Sequence, residues 1–128
     1  MSDGEARKKI LVVDDDMVCL EMNSLILSNE NYEIITAMDG QEAYAIAQSS
    51  SPDLILLDLM LPKMNGYKVC GLLKNNSQYA MIPIILLSAS NSPDTEEISK
   101  DVGFDAYLKK PVQVDLLLST IEKLISKN

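Results

Sequence analysis

The sequence predicts a single doubly wound α/β domain, and three observations predict it. Short aliphatic runs alternate with longer amphipathic segments five times along the chain. The runs are apolar at consecutive positions, the pattern of strands covered on both faces in a parallel sheet. At 128 residues and 47% hydrophobic, the chain can bury one core without a disulfide or metal staple.

In chain order, KILVV (9–13) reads as the first strand, and residues 17–28 follow as a helix in which Val18, Met22, Leu25 and Ile26 form the expected buried stripe. YEIITA (32–37) is the second strand, and 41–49 a helix with a small-residue stripe of Ala43, Ile46 and Ala47. DLILL (53–57) is the third strand, followed by a helix over 65–75 that presents Val69, Cys70 and Leu73. IPIILLS (82–88) is the fourth strand. The helical segment after it, 93–102, is the weakest: Ser92 fits a cap, Pro93 a first position and Gly103 a stop, but only Ile98 and Val102 are strongly apolar. DAYLK (105–109) and a helix over 113–126 with Leu117, Ile121, Leu124 and Ile125 inward complete the alternation. Residues 1–8 are polar and expected to be loose, leaving 9–128 as the domain.

Composition excludes several functions. Lys plus Arg number 11 against 19 Asp plus Glu, a net charge of -8, and no basic run extends beyond Arg7–Lys9, so direct nucleic-acid binding is disfavoured. Histidine is absent, so any imidazole chemistry must come from a partner. Cys19 and Cys70 stand singly, without zinc or disulfide spacing, and read as small core residues; the methionines, Met38 among them, read as fillers of core gaps. No apolar run is long enough to span a membrane and no signal core is present, so a cytoplasmic protein is expected.

In open α/β sheets, sites form at the carboxyl ends of the strands. There the sequence places Asp14, Asp15 and Asp16 after the first strand, Asp58 after the third, Ser88 at the fourth and Lys109 and Lys110 at the fifth. Each has an ordinary reading: Asp16 is placed to cap a helix, Asp14, Asp15 and Asp58 could do the same, Ser88 suits a turn, and a lysine before proline is usually solvated. Together, on four strand ends, they suggest a phosphate receptor. Three carboxylates in a low-dielectric crevice raise one another's pKa unless a cation intervenes. All-oxygen ligation without histidine suits Mg²⁺. Lys110 would be a point charge aimed at Asp58 or an incoming phosphoryl group, and Ser88 a hydroxyl donor.

The motifs LVVDDD, DLILLDLMLPKMNG, IILLSAS and AYLKKP, in this order from about Lys9 to Ile125, make the chain resemble a response-regulator receiver domain of two-component signalling. The resemblance implies a flavodoxin-like (βα)5 fold with strand order 2-1-3-4-5. It makes Asp58 the phosphoacceptor, Asp15 the direct Mg²⁺ ligand with Asp14 acting mostly through water, and Met60 a backbone-carbonyl ligand. Ser88 becomes the hydroxyl that bonds the phosphoryl group, Lys110 the lysine that pairs with it, and Tyr107 the aromatic switch; Ala89 matches the small residue beside the hydroxyl. Ser at 88 departs from the commoner Thr and loses a rotamer-restricting methyl. Met60 and Ser90 fall at flanking positions that influence phosphoryl lifetime, and an apolar Met60 would not assist a hydrolytic water.

The implied function is a switch that takes a phosphoryl group from a sensor histidine kinase or His phosphotransfer domain and dephosphorylates itself, rather than an enzyme with a free substrate. Its output would pass to a downstream protein through the face made by the fourth helix, fifth strand and fifth helix, with a homodimer through that face possible in such domains. Two other readings stand beside it. A phosphorylation-independent scaffold of the same fold would normally have lost an acid or the lysine, and neither is lost. A haloacid-dehalogenase-like phosphatase would want a second Asp at position 60, where this chain has Met. Met1 and the polar ends favour a stand-alone receiver over a fragment of a larger regulator.

Overall fold

A computed structural model of the chain describes residues 7–88 and 103–126. It contains β1 (Lys9–Val13), α1 (Met17–Asn29), β2 (Glu33–Ala37), α2 (Gly40–Ser50), β3 (Leu54–Asp58), α3 (Gly66–Lys74), β4 (Ile84–Ser88), β5 (Ala106–Lys109) and α4 (Val114–Ser126). The helix expected over 93–102, with Ala89 and Ser90 before it, lies outside the described residues, as does most of the N-terminal segment 1–8. Lys8 is engaged, its carbonyl accepting from the Glu33 N–H at 2.8 Å.

All four strand pairings are parallel and the order is β2-β1-β3-β4-β5. The chain therefore leaves β1 toward one side to make β2 and crosses to the other side for β3. That reversal opens a crevice above the carboxyl ends of β1 and β3. β3 and β4 are buried along their whole length, which is why their sequences read as unbroken aliphatic runs.

Strand alternation divides the core into two layers. Leu11, Val13, Ile55, Leu57, Ile84 and Leu86 face α2 and α3, where Ala43, Ala47, Val69, Cys70 and Leu73 meet them. Ile10, Val12, Leu54, Leu56, Ile85 and Leu87 face α1 and α4, where Leu20, Leu27, Leu117 and Ile121 meet them. Each buried Val, Leu or Ile among them contributes about 1.5–3 kcal/mol. Burial pushes the Cys70 thiol up to about 12, as suits an inert core residue.

The amino edge of the sheet is closed by polar clamps. Lys74 Nζ at the end of α3 donates to the carbonyls of Ala80 and Ile82 and to Asp105 Oδ2, at 3.1, 2.8 and 2.9 Å. Asp105 Oδ2 also accepts from the Ile84 N–H at 2.8 Å, so one ion pair ties α3, β4 and the approach to β5 together. Asp53 Oδ2 takes the Lys9 N–H at 2.7 Å between β1 and β3.

Two expectations are overturned. The buried face of α1 carries Leu20, Asn23 and Leu27, whereas Val18, Met22 and Leu25 of the expected stripe are 66%, 57% and 63% exposed. The helix is apolar on both faces, so periodicity alone does not orient it; the Asp16 cap and the strand before it do. Most of the methionines are not core fillers either: Met17, Met22, Met38, Met60 and Met81 are exposed, while Met64 packs against the core as expected.

Asn23 stands out on the buried face, because its side-chain amide has no hydrogen-bond partner among the described residues. Its amide atoms are not fully enclosed, since the enclosed unpaired atoms among the described residues are Ser24 Oγ and Ser88 Oγ, but an aliphatic group on this face would gain burial. Asn23→Leu is therefore expected to raise the urea midpoint, stabilising the fold by about 1 kcal/mol; a lower midpoint would show that the amide is supported.

Candidate functional site

The crevice gathers one side chain from each of three strand ends. Val13 pairs with Leu57, which sets Asp14 beside Asp58, and Ser88 pairs with Lys109, which brings Lys110 over the fourth strand's end. Backbone bonds continue past the strands: Asp14 N–H to the Ala37 carbonyl at 3.1 Å, Leu59 N–H to Leu87 at 2.9 Å, and Lys110 N–H to Ser88 at 2.8 Å. These side chains thus sit on the rigid sheet rather than on free loops.

Lys110 Nζ lies 3.1 Å from Asp14 Oδ2 and 3.1 Å from Asp58 Oδ2. The carboxylates are nearly fully buried, at 1% and 5% exposure, while the lysine is half-buried. The remaining oxygens are used locally. Asp14 Oδ1 accepts from the Asp16 N–H at 2.9 Å, and Asp58 Oδ1 from the Met60 N–H at 3.2 Å. Lys109 is exposed, and the Lys110–Pro111 peptide is cis.

Burial lifts the Asp58 carboxyl above the ordinary carboxylate range, and the Asp14 charge adds to the lift, against the opposing pull of Lys110 and the Met60 N–H. Burial by itself would lower the Lys110 pKa, but its contacts with Asp58 and Asp14 outweigh that and hold it above the usual lysine value. The two shifts differ in origin: burial is the main cause at Asp58, and the two acidic partners are the cause at Lys110.

Asp15 is exposed but belongs to the same group: Asp14, Asp15 and Asp58 each offer a carboxylate oxygen within 4.8 Å of the others. Three hard anionic oxygens beside a buried polar pocket fit a small divalent cation, and leave positions for water or a substrate oxygen. Ser88 Oγ is buried and has no hydrogen-bond partner among the described residues, so a donor hydroxyl is available at the end of β4. Asp16 caps α1, accepting from Val18 N–H at 3.0 Å and Cys19 N–H at 3.5 Å, and is no member of the acid group.

Two glycines shape the loop that carries Met60. A Cβ on Gly66 would lie 2.6 Å from the Asp58 carbonyl oxygen, so only glycine lets α3 start against the end of β3. A Cβ on Gly40 would lie 1.8 Å from the Met64 carbonyl oxygen, so the loop rests directly on the start of α2. Met60 itself points largely to solvent, 70% exposed. Tyr107 is half-buried and packs edge-to-face on Phe104 at 6.1 Å, on the α2/α3 side of the sheet. The structure thus brings Asp14, Asp15, Asp58 and Lys110 together as expected, with Ser88 and Tyr107 on neighbouring strands. The sequence did not reveal the Lys74–Asp105 clamp or the two glycine contacts, because only the tertiary arrangement gives them partners.

A family model described as the response regulator receiver domain matches residues 10–122. Protein PilG of Pseudomonas aeruginosa is 34% identical over 89% of this chain and 84% of its own length. The DNA-binding dual master transcriptional regulator RpaA of Synechocystis sp. is 36% identical over 93% of this chain; the chain spans 49% of that protein. The crystal structure of the chemotaxis response regulator CheY4 of Vibrio cholerae superposes with a TM-score of 0.85 at 35% identity, covering 93% of this chain and 99% of that one.

In metal-free buffer the Asp58 side-chain carbon signal is expected to titrate above about 3.9, the usual Asp value. The midpoint should rise further in Lys110→Met, where the opposing ammonium is gone. A midpoint at or below the usual value in the unaltered protein would contradict the acid excess.

Proposed function

The chain belongs to the response-regulator receiver family of two-component signalling, and from that premise we propose that Asp58 accepts a phosphoryl group from a phosphohistidine on a partner protein. The observation that carries the reading is the single Lys110 ammonium bridging two buried carboxylates, Asp14 and Asp58, at 3.1 Å each. This chain contains no histidine, so the phosphohistidine sits on a histidine kinase or a His phosphotransfer domain.

In this reading an Asp58 carboxylate oxygen attacks phosphorus in line, the P–N bond to the donor imidazole breaks, and an acyl phosphate forms. Lys110 favours the ionised, nucleophilic form of Asp58 before transfer and meets the new negative charge after it. The Ser88 hydroxyl, with no partner beforehand, donates to a phosphoryl oxygen. Asp14, Asp15, Asp58 and the Met60 carbonyl would hold Mg²⁺, which when bound neutralises charge on the transferring oxygens. Asp58 is consumed, so the domain is a phosphoacceptor that hydrolyses its own acyl phosphate slowly.

The added charge would draw the Ser88 side chain inward and make room for Tyr107 on the same side of the sheet. That biases the surface made by β5 and α4, which we assign to a downstream protein target. The apolar residues Val18, Met22 and Leu25, exposed on the helix that leaves the site, offer a donor protein a hydrophobic landing surface. Among the described residues no helix is long and apolar enough to cross a membrane, and we place the domain in the cytoplasm.

Intact-mass measurement after incubation with an acyl-phosphate donor tests this. A single phosphoryl adduct is expected with Mg²⁺, none after chelation, and none in Asp58→Asn. Lys110→Ala should slow adduct formation roughly 10²-fold, the usual cost of removing one preorganised charge. A correctly folded protein that acquires no adduct, or acquires it equally in Asp58→Asn, would overturn the assignment.

A further inference from the structure

A cavity of about 130 Å³ opens between α1 and the loop that joins β5 to α4. Met22 and Ile26 form one apolar wall and Val112, Val114 and Leu117 the other. Asn23 interrupts the apolar lining. Only 8% of it is exposed, it faces the cavity, and its amide finds no hydrogen-bond partner among the described residues.

Size, charge and hydrogen bonding restrict what can occupy such a space. An apolar cavity of about 150 Å³ takes up benzene, so a six-membered ring is the right scale. A charged ligand is disfavoured, because aliphatic walls cannot replace its hydration. The lysine that lines the cavity, Lys110, has its ammonium already shared between Asp14 and Asp58 at 3.1 Å. The Asn23 amide presents a donor N–H and an acceptor carbonyl side by side. A ligand with an adjacent acceptor and donor would satisfy both at once.

We propose that this cavity is a binding site for a small uncharged ring bearing a lactam or carboxamide, held by apolar contact with α1 and α4 and by paired hydrogen bonds to Asn23. Because Lys110 lines the same cavity, such a ligand would touch the stem of the lysine that joins the two carboxylates.

Titration of the full, isotope-labelled chain with 2-pyridone, a ring lactam, tests it by amide chemical shifts. Saturable shifts are expected to cluster in residues 22–26 and 111–117, with a dissociation constant on the order of 1 mM. Fluorobenzene, of the same shape without the hydrogen-bonding pair, should bind roughly tenfold more weakly. In Asn23→Leu the preference should vanish or reverse. Val114→Phe, which fills the cavity from a position 43% exposed and so tolerant of change, should abolish both. Three results would overturn the site: no saturable shift, shifts scattered over the surface, or an unchanged preference in Asn23→Leu.

Discussion

One ammonium serves a crevice that contains three carboxylates, and the rest of the molecule is arranged so that this imbalance can persist. Asp14 and Asp58 sit where water cannot screen them, at 1% and 5% exposure, and each is held by a backbone N–H as well as by Lys110. Like charges brought this close in a poor dielectric would ordinarily neutralise by taking up a proton. Burial first, and the Asp14 charge second, lift Asp58 above the usual carboxylate range even though Lys110 counters part of that pressure. A site in that condition has an affinity for positive charge built into it before any ligand arrives.

The imbalance survives because the fold does not let the acids separate. β1 and β3 are neighbours in a parallel sheet whose register sets Val13 against Leu57, so the residues that follow must meet. Two apolar layers fix the sheet from both sides, and the Lys74–Asp105 ion pair fastens its far edge. Close approach at Gly66 and Gly40 then leaves the β3–α3 loop no room to carry Asp58 away. Stability is concentrated in the strands and strain in the crevice, the division of labour expected where function needs an unfavourable arrangement.

Much of this was legible in the sequence, for identifiable reasons. Parallel strands must be apolar on both faces, so LILL and IILL announce themselves; polar residues at their ends, Asp58 and Ser88, are conspicuous by contrast. The rotation of α1 was not legible. Val18, Met22 and Leu25 alternate with Leu20 and Leu27 around the helix, and two apolar stripes leave the period without a unique answer. Asn23 adds to the ambiguity, since a polar residue ordinarily marks the solvent face while this one is buried. The clamp at Lys74 was hidden for another reason: its partner, Asp105, is remote in sequence and each residue alone looks like solvated charge.

Lys110 connects these observations. It bonds both carboxylates, continues β5 by a backbone bond to the Ser88 carbonyl at 2.8 Å, and lines the cavity under α1. A change of charge on Asp58 therefore cannot remain local. It alters the balance of contacts of a residue whose backbone is tied to the strand end bearing Ser88, and whose side chain is packed beside α1. The Ser88 hydroxyl adds a second bias, because it has no partner among the described residues, and a buried hydroxyl left so costs about 1–3 kcal/mol that a new acceptor near Asp58 would return. Under the proposed function one event would relieve both unfavourable features: the cation would offset the surplus acid, and a phosphoryl oxygen would accept from the unused donor. A fold that keeps both in reserve at the end of a rigid sheet has the energetic form of a switch: the resting state is held by packing, and the altered state is favoured by electrostatics and hydrogen bonding at a single residue.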